Sequence, residues 1–432
     1  MVDQASRAAP IVDAAVPVDF DAVDAGRARR TVLVLCALLW FQGFTMSING
    51  IAAPWIAKSF GLGESGIASL YAWISVSAIG ALVLSRLADR LGRRQVLRWC
   101  LRGTPPAALG AALSANVVAF VLFEIVIYAF IAATLASAVV ILAEELPIAA
   151  RARGQSFAGL AVNLGGGLCL MLMPALDRAG YSWRWLLAFS ALGILWVPFV
   201  AQLVPESQRW ERAAASGATA ASRFVDIFRG RYRRRAIPIL TCFLLSSIAN
   251  TAATSWGYFH AVSVVGLSAA AASLMMLTGG AVSMLGFPLG AWTAERFGRV
   301  PTVVTFGVLI AAGSLFFYWG PPARGMAPTL WLAIGFAWFM TAVNGSTVAG
   351  NAAATELFPT ALRGTLIGWF ALVGAMAAVS SQAVIAILAE RLGGLSVVVG
   401  YLGLLTIPSA VIFGLCIEET RGLSLEVSAK ER

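Results

Sequence analysis

Glu124 is the one acidic side chain well inside an apolar run of this 432-residue chain, in FVLFEIVIYAF, and no Lys or Arg shares that run. A carboxylate about eight residues from the end of a membrane-crossing helix lies roughly 12 Å deep, at about 1.5 Å per residue. Charge at that depth is costly, so such a group is expected to face an internal cavity and to bind a proton or meet a cation. Arg184 and His260 are the nearest cationic candidates, and both fall near the ends of their own segments. Other polar residues recur at helical steps of three and four: Gln42, Thr45 and Asn49; Ser247, Asn250, Thr251 and Thr254, with Trp256 and Tyr258 close by; and Thr341, Asn344 and Thr347. Tyr128 is one turn from Glu124. Polar side chains can also just hold helices together, at roughly 0.6 kcal/mol each. That is the expected role for the single Ser and Thr residues. Proton exchange and binding are within reach of this set; catalysis is not. There is no nucleophile–base pair, no metal-ligand cluster and no phosphate-cradling loop, so neither an enzyme nor a cofactor is expected. The sole histidine, His260, reads as an interfacial residue. The cysteines Cys36, Cys100, Cys169, Cys242 and Cys416 show no ligand spacing and read as packing residues.

The elements that must position these groups follow from composition. The chain is 59% hydrophobic and 12% charged, against roughly 25% charged in soluble domains. Twelve apolar segments emerge, at about 31–55, 66–86, 96–114, 116–143, 154–177, 184–204, 236–259, 267–291, 300–319, 327–353, 364–389 and 395–417. With both termini inside, 26 Lys and Arg face the cytoplasm and five (Lys58, Arg178, Arg184, Arg324 and Arg391) face outward. The net charge of +10 is therefore a loop charge that suits lipid headgroups, and no nucleic-acid partner is expected. The division expected is a cytoplasmic arm at 1–30 without signal-peptide character, a six-helix half at 31–204, a basic connector at 205–235, a second six-helix half at 236–417 and a tail at 418–432.

Two loop motifs repeat between the halves. SRLADRLGRR at 85–94 returns as AWTAERFGRV at 291–300, so that Asp89, Arg90, Gly92 and Arg93 match Glu295, Arg296, Gly298 and Arg299. AEELPIAARARG at 143–154 returns as TELFPTALRG at 355–364, so that Glu144, Pro147 and Arg151 match Glu356, Pro359 and Arg363, with Gly154 and Gly364 close behind. Offsets of 206 and 212 residues point to two homologous membrane halves. Topology needs positive charge but no acids. Acids beside arginines at helix ends can pin helices together, so these loops read as a cytoplasmic gate. Glu144, Glu206 and Glu356 are expected to meet Arg93, Arg151, Arg153, Arg209, Arg299 or Arg363 across the halves, closing the cytoplasmic side in the outward-open state and breaking when the halves rock the other way.

On these motifs the chain resembles the major facilitator superfamily over its full length. SRLADRLGRR is similar to that family's signature loop, with Ser85 where glycine is usual. PESQRW at 205–210, WRW at 183–185, ELFPTALRG and EETRGLSLE at 418–426 resemble the sugar-porter and metabolite–proton symporter branch. The resemblance implies an all-α fold of twelve membrane helices in two pseudo-symmetric halves, with helices one, four, seven and ten lining a cavity. Gln42, Asn49, Tyr128, Asn250, Trp256 and Asn344 then become candidate cavity residues. Symporters of that branch carry an arginine where Glu124 stands, and often another where Ala375 stands. Both charges are absent here, so a neutral or cationic substrate is expected over a carboxylate, which would be desolvated without a partner. The glycines at 165–167 lack the following proline of proton-antiporting exporters.

The reading is a monomeric secondary transporter of a small polar metabolite in the bacterial cytoplasmic membrane. It is expected to work by alternating access and proton symport, with Glu124 as the coupling group. The alternatives are a proton-antiport exporter of drugs or cationic metabolites and, remotely, a non-transporting nutrient sensor.

Overall fold

The structure, a computed structural model, describes residues 25–146, 148–204, 226–228, 232–320, 326–358 and 360–421. Twelve helical spans run in sequence. They are α1 (Ala25–Phe60), α2 (Glu64–Ser75 and Ser77–Leu91), α3 (Arg93–Leu113), α4 (Val117–Glu145), α5 (Ile148–Arg178) and α6 (Arg184–Ala191, a tighter turn Leu192–Leu195, then Val197–Gln202). The second set is α7 (Tyr232–Phe259, ending in a wide turn His260–Val264), α8 (Ala269–Ser283 and Gly286–Arg296), α9 (Arg299–Trp319), α10 (Pro328–Glu356), α11 (Thr360–Leu388) and α12 (Leu395–Gly403 and Thr406–Cys416).

Ten of these spans are long and apolar enough to cross a membrane. The exceptions are explicable. α3 opens on RRQVLRWCLR and carries Pro105 and Pro106. α6 is broken by its tight turn and by Pro198. Local sequence sets the starts of the helices that matter most. Asn116 accepts the backbone N–H of Ala119 at 2.8 Å and so caps α4. Glu124 therefore falls two turns into that helix. Ser268 caps α8 in the same way through the N–H of Ala271.

Within each half, glycines bring backbones into contact. A β-carbon on Gly43 would lie 2.1 Å from the Val162 carbonyl oxygen, and one on Gly165 would lie 2.0 Å from that of Trp40. α1 and α5 therefore touch main chain to main chain. In the second half the tight crossing is between α8 and α10, where Gly286 and Gly290 face the carbonyls of Thr341 and Gly345.

The bundle has a terminal end, where α1 begins and α12 finishes, and a distal end opposite. The halves meet at the distal end. One apolar cluster there contains Phe44, Ile48 and Phe120 of the first half together with Trp256, Phe259 and Phe317 of the second. At the terminal end the clusters are separate: Leu35, Leu38, Leu97 and Leu142 belong to one, and Leu240, Leu357, Phe358 and Phe413 to another. Two hydrogen bonds cross between the halves distally. Ser65 donates to the Ala386 carbonyl at 2.7 Å, and the Leu395 N–H donates to Glu64 at 2.5 Å. Gly394, at φ +123°, allows the turn that presents that N–H to Glu64.

Candidate functional site

Glu124 is 2% exposed and accepts the side-chain N–H of Asn49 at 2.7 Å. α1 and α4 thus bring together the two residues that spacing had singled out on separate helices. Glu124 Oε1 and Asn49 Oδ1 are buried without a hydrogen-bond partner among the described residues. So are both polar atoms of Gln42, two turns along α1 toward the terminal end. Buried polar atoms in native proteins are nearly always satisfied. Open acceptors and donors along this face of α1 and α4 are therefore what a site for a small polar ligand or proton requires. Tyr128 stands beside this group and donates to the Met46 carbonyl at 2.8 Å.

The wall of the site on the distal side is aromatic. Tyr71 of α2 donates to the backbone carbonyl of Asn49 at 2.5 Å, and its ring centroid is 5.0 Å from that of Trp256 on α7. Trp256 Nε1 donates in turn to Gln382 Oε1 of α11 at 2.9 Å, wholly buried. Trp55 and Tyr258 form a second cross-half ring pair at 6.3 Å. Tyr71 and Gln382 were missed by the sequence reading. Tyr71 looks like any aromatic in an apolar run, and only the SSQ cluster at 380–382 marked Gln382.

Other candidates are placed differently. Asn344 donates to the Ser283 carbonyl at 3.0 Å and ties α10 to α8 where α8 is broken. Thr45 pairs with Ser190 of α6 at 2.7 Å. Asn250 holds its Oδ1 buried and unpartnered. Neither cationic candidate serves Glu124. Arg184 donates to the Ala112 carbonyl at 2.8 Å and lies over the rings of Phe60 and Trp183. His260 is a correction to the interfacial reading: it is 4% exposed, stands between Phe317 and Tyr318, and its Nδ1 is 2.7 Å from Ser396 Oγ.

At the terminal end the predicted charges pair within halves. Arg299 grips Glu356 with two N–H groups, at 3.2 and 3.0 Å, and Thr420 donates to the same carboxylate. The cross-half contacts expected of Glu356 belong to the state with this end closed; here Arg299 and Thr420 of its own half hold it. Arg235 pairs with Glu418, and Arg27 with Glu145, next to the expected Glu144. Arg296 lies against Trp292 and Phe297, while Glu295 and Arg153 are exposed. Arg93 is half-buried. The side chains of Asp89, Arg90, Glu144, Arg151 and Arg363, and residues Glu206 and Arg209 entirely, lie outside the described residues.

Glu419 completes this cluster by accepting the N–H groups of Arg299 and Val300, each at 2.9 Å, where α9 begins. Partial burial works against its charge, but the N–H groups of Arg299, Val300, Arg421 and Thr420 win and hold the carboxyl below its usual range. A carboxyl lowered by folding contributes stability that is fully present above the ordinary value, about 4.3, and fades as the pH falls through its own lower value. The thermal midpoint is expected to drop below that pH in the native protein and to drop less in Glu419→Gln. Equal acid sensitivity in the two proteins would refute this role.

A family model described as "Major Facilitator Superfamily" matches residues 35–381. A gallate transporter from Pseudomonas putida is 26% identical over 377 residues, covering 81% of this chain and 83% of its own. A gentisate transporter from Corynebacterium glutamicum is 22% identical over 365 residues, covering 82% and 80%. Among solved structures, the xylose transporter XylE from E. coli, in a partially occluded inward-open conformation, superposes with a TM-score of 0.71 at 18% identity, covering 93% of this chain and all of its own. With that match over most of its length, and with twelve spans in two halves, the chain belongs to the Major Facilitator Superfamily.

Proposed function

We propose that this transporter carries a small neutral or cationic metabolite across the bacterial cytoplasmic membrane by alternating access, in symport with protons, and that Glu124 is its coupling group. The observation that carries the reading is the environment of Glu124. It is buried, one oxygen is held by Asn49 and the other is open, and no described Lys or Arg pairs with it. A bare carboxylate at this depth is expensive. It is relieved by a proton or by a cationic ligand, and a carboxylate ligand would add a second unpaired charge. Gln42, Asn49, Tyr128 and Asn250 are the proposed ligand contacts, with Trp256 above them.

The terminal end is taken as cytoplasmic, on the 26 to 5 distribution of basic residues. In that frame the apolar cluster shared by both halves lies outside and the two separate clusters lie inside. The cytoplasmic gate charges (Asp89, Arg93 and Glu144 in one half; Glu295, Arg299, Glu356 and Arg363 in the other) then pair across the halves only when the inside closes.

One observation favours a second reading: the gallate and gentisate transporters are the kind of relative this chain matches along most of its length. An aromatic acid could stack on the Tyr71–Trp256 wall. A thermal-shift screen of the purified protein separates the two. Sugars, betaines, amines and neutral aromatics as hits are expected. Gallate, gentisate or 4-hydroxybenzoate as the clear hits would overturn the charge argument.

A further inference from the structure

Two consecutive residues of the first half serve two helix ends of the second. Glu64 and Ser65 open α2, at the distal end. Glu64 Oε2 accepts the N–H of Leu395, the first residue of α12, at 2.5 Å. Ser65 Oγ donates to the carbonyl of Ala386 at 2.7 Å, in the last turn of α11. The first N–H groups and the last carbonyls of a helix have no partner inside it. α12 cannot cap itself, because its N-cap residue is Gly394, which has no side chain to offer. The matching span of the first half is served locally: the first N–H of α6, on Arg184, reaches the Ser182 hydroxyl at 3.3 Å.

The turn between α11 and α12 is shaped for this arrangement. Gly393 and Gly394 both have positive φ, +89° and +123°, a region that glycine alone enters at no steric cost. The Glu64 carboxylate lies against that backbone, with Oε2 only 3.5 Å from where a β-carbon on Gly394 would stand. Leu395, which carries the captured N–H, and Ile67, one turn beyond Glu64, are wholly buried in the apolar cluster shared by the halves. Both bonds are therefore made at the edge of the surface along which the halves meet.

We propose that Glu64 and Ser65 form a cap in trans, a latch that keeps the α11–α12 turn in shape while the distal end is closed. The latch is separate from the transport site and does not depend on the reading of Glu124. Its two groups are neighbours on one helix turn, so parting the halves distally withdraws both in a single event. The Leu395 N–H and the Ala386 carbonyl then turn to water. Gly393 and Gly394 are released from the conformation that presented the N–H, and glycine regains more backbone freedom on release than any other residue. The first turn of α12 therefore frays as the distal end opens, and rebuilding it is part of closure. Glu64 contributes more than Ser65. A hydrogen bond to a carboxylate is roughly twice as strong as one between neutral groups, and the helix dipole favours a negative group at an N-terminus.

Hydrogen–deuterium exchange of the full-length protein in lipid nanodiscs tests this without any substrate. The peptides followed cover 395–402 at the start of α12 and 256–262, where Trp256 and Phe259 belong to the shared cluster. A peptide covering 96–104 of α3, inside the first half, is the reference. Glu64→Ala is expected to speed exchange about tenfold or more at 395–402 and at 256–262, the worth of one hydrogen bond to a charged group. Ser65→Ala removes only the bond to α11. It is nevertheless expected to speed exchange at 395–402 by about threefold, because the two bonds break together. A rise confined to 395–402 in Glu64→Ala, with 256–262 unmoved, would show an ordinary helix cap and overturn the latch. A Ser65→Ala protein with unchanged exchange at 395–402 would overturn it as well. If Glu64→Ala does not fold, Glu64→Gln takes its place, since it keeps an acceptor without the charge. A smaller rise is then expected in the same two peptides, with the same overturning result.

Discussion

Glu124→Gln is expected to abolish uptake driven by a pH gradient in proteoliposomes while leaving exchange of substrate at equilibrium intact. The group lies deep in α4, its two oxygens are unequally served, and no described cation neutralises it. Moving it across the cycle as a bare charge would cost about 2.5–3.5 kcal/mol at a helix centre. That corresponds to about sixty- to three-hundredfold in the population able to turn over, at roughly 1.4 kcal/mol per decade. On the proposed reading the native protein avoids the cost by gaining or losing a proton as the site changes sides. Glutamine cannot exchange a proton, but it keeps the shape and still accepts from Asn49. Uptake should therefore lose its response to the imposed gradient, and counterflow of the same labelled substrate should persist. The measurement is initial uptake with and without an imposed gradient. Equal responses to the gradient in native and variant protein would remove Glu124 from coupling.

The second large effect is structural. Gly43→Val and Gly165→Val should each prevent the first half from packing. In both cases the new β-carbon meets a carbonyl oxygen of the facing helix at about 2 Å, and that atom belongs to main chain that cannot swing aside. Overpacking costs roughly 1–3 kcal/mol where side chains can adjust. Here α1 would have to separate from α5 along their whole crossing, so the loss should exceed that range. Gly159 provides the control, since a β-carbon there meets nothing within 4 Å. Gly159→Ala should be neutral or stabilising by up to about 1 kcal/mol. Size-exclusion profiles and thermal midpoints in one detergent would check all three. A monodisperse Gly165→Val protein with an unchanged midpoint would mean the crossing is looser than described.

What was legible beforehand depended on whether chemistry or distance made the argument. The twelve spans could be read because a bilayer imposes length and apolarity on every segment, and the two halves because charged turns repeat. Asn49 and Glu124 could be named because polar groups are rare in such segments. Their pairing could not, since helical spacing gives the face of one helix and leaves its neighbour undetermined. Asn344 shows the limit of spacing: it has the pattern of a cavity residue, and sequence gives no sign that one of its N–H groups ties α10 to the Ser283 carbonyl. Tyr71 shows the converse. Its hydroxyl is satisfied by a backbone carbonyl, a partner with no signature in sequence. The partner of Glu356 was expected across the bundle because the loops suggested a gate. Whether such charges pair across or within halves depends on which end of the molecule is closed, and that is a property of conformation.

The apolar cluster shared by both halves at the distal end makes the two faces of this protein unequal toward any ligand that approaches from solution. At the terminal face the described residues of the two halves form separate apolar clusters. A ligand reaching the distal face must wait for molecules in which Phe44, Trp256 and their neighbours have separated. Its apparent affinity is reduced by the fraction of molecules in that state. Ligands that act from the distal face would therefore be wedges that hold these aromatic rings apart.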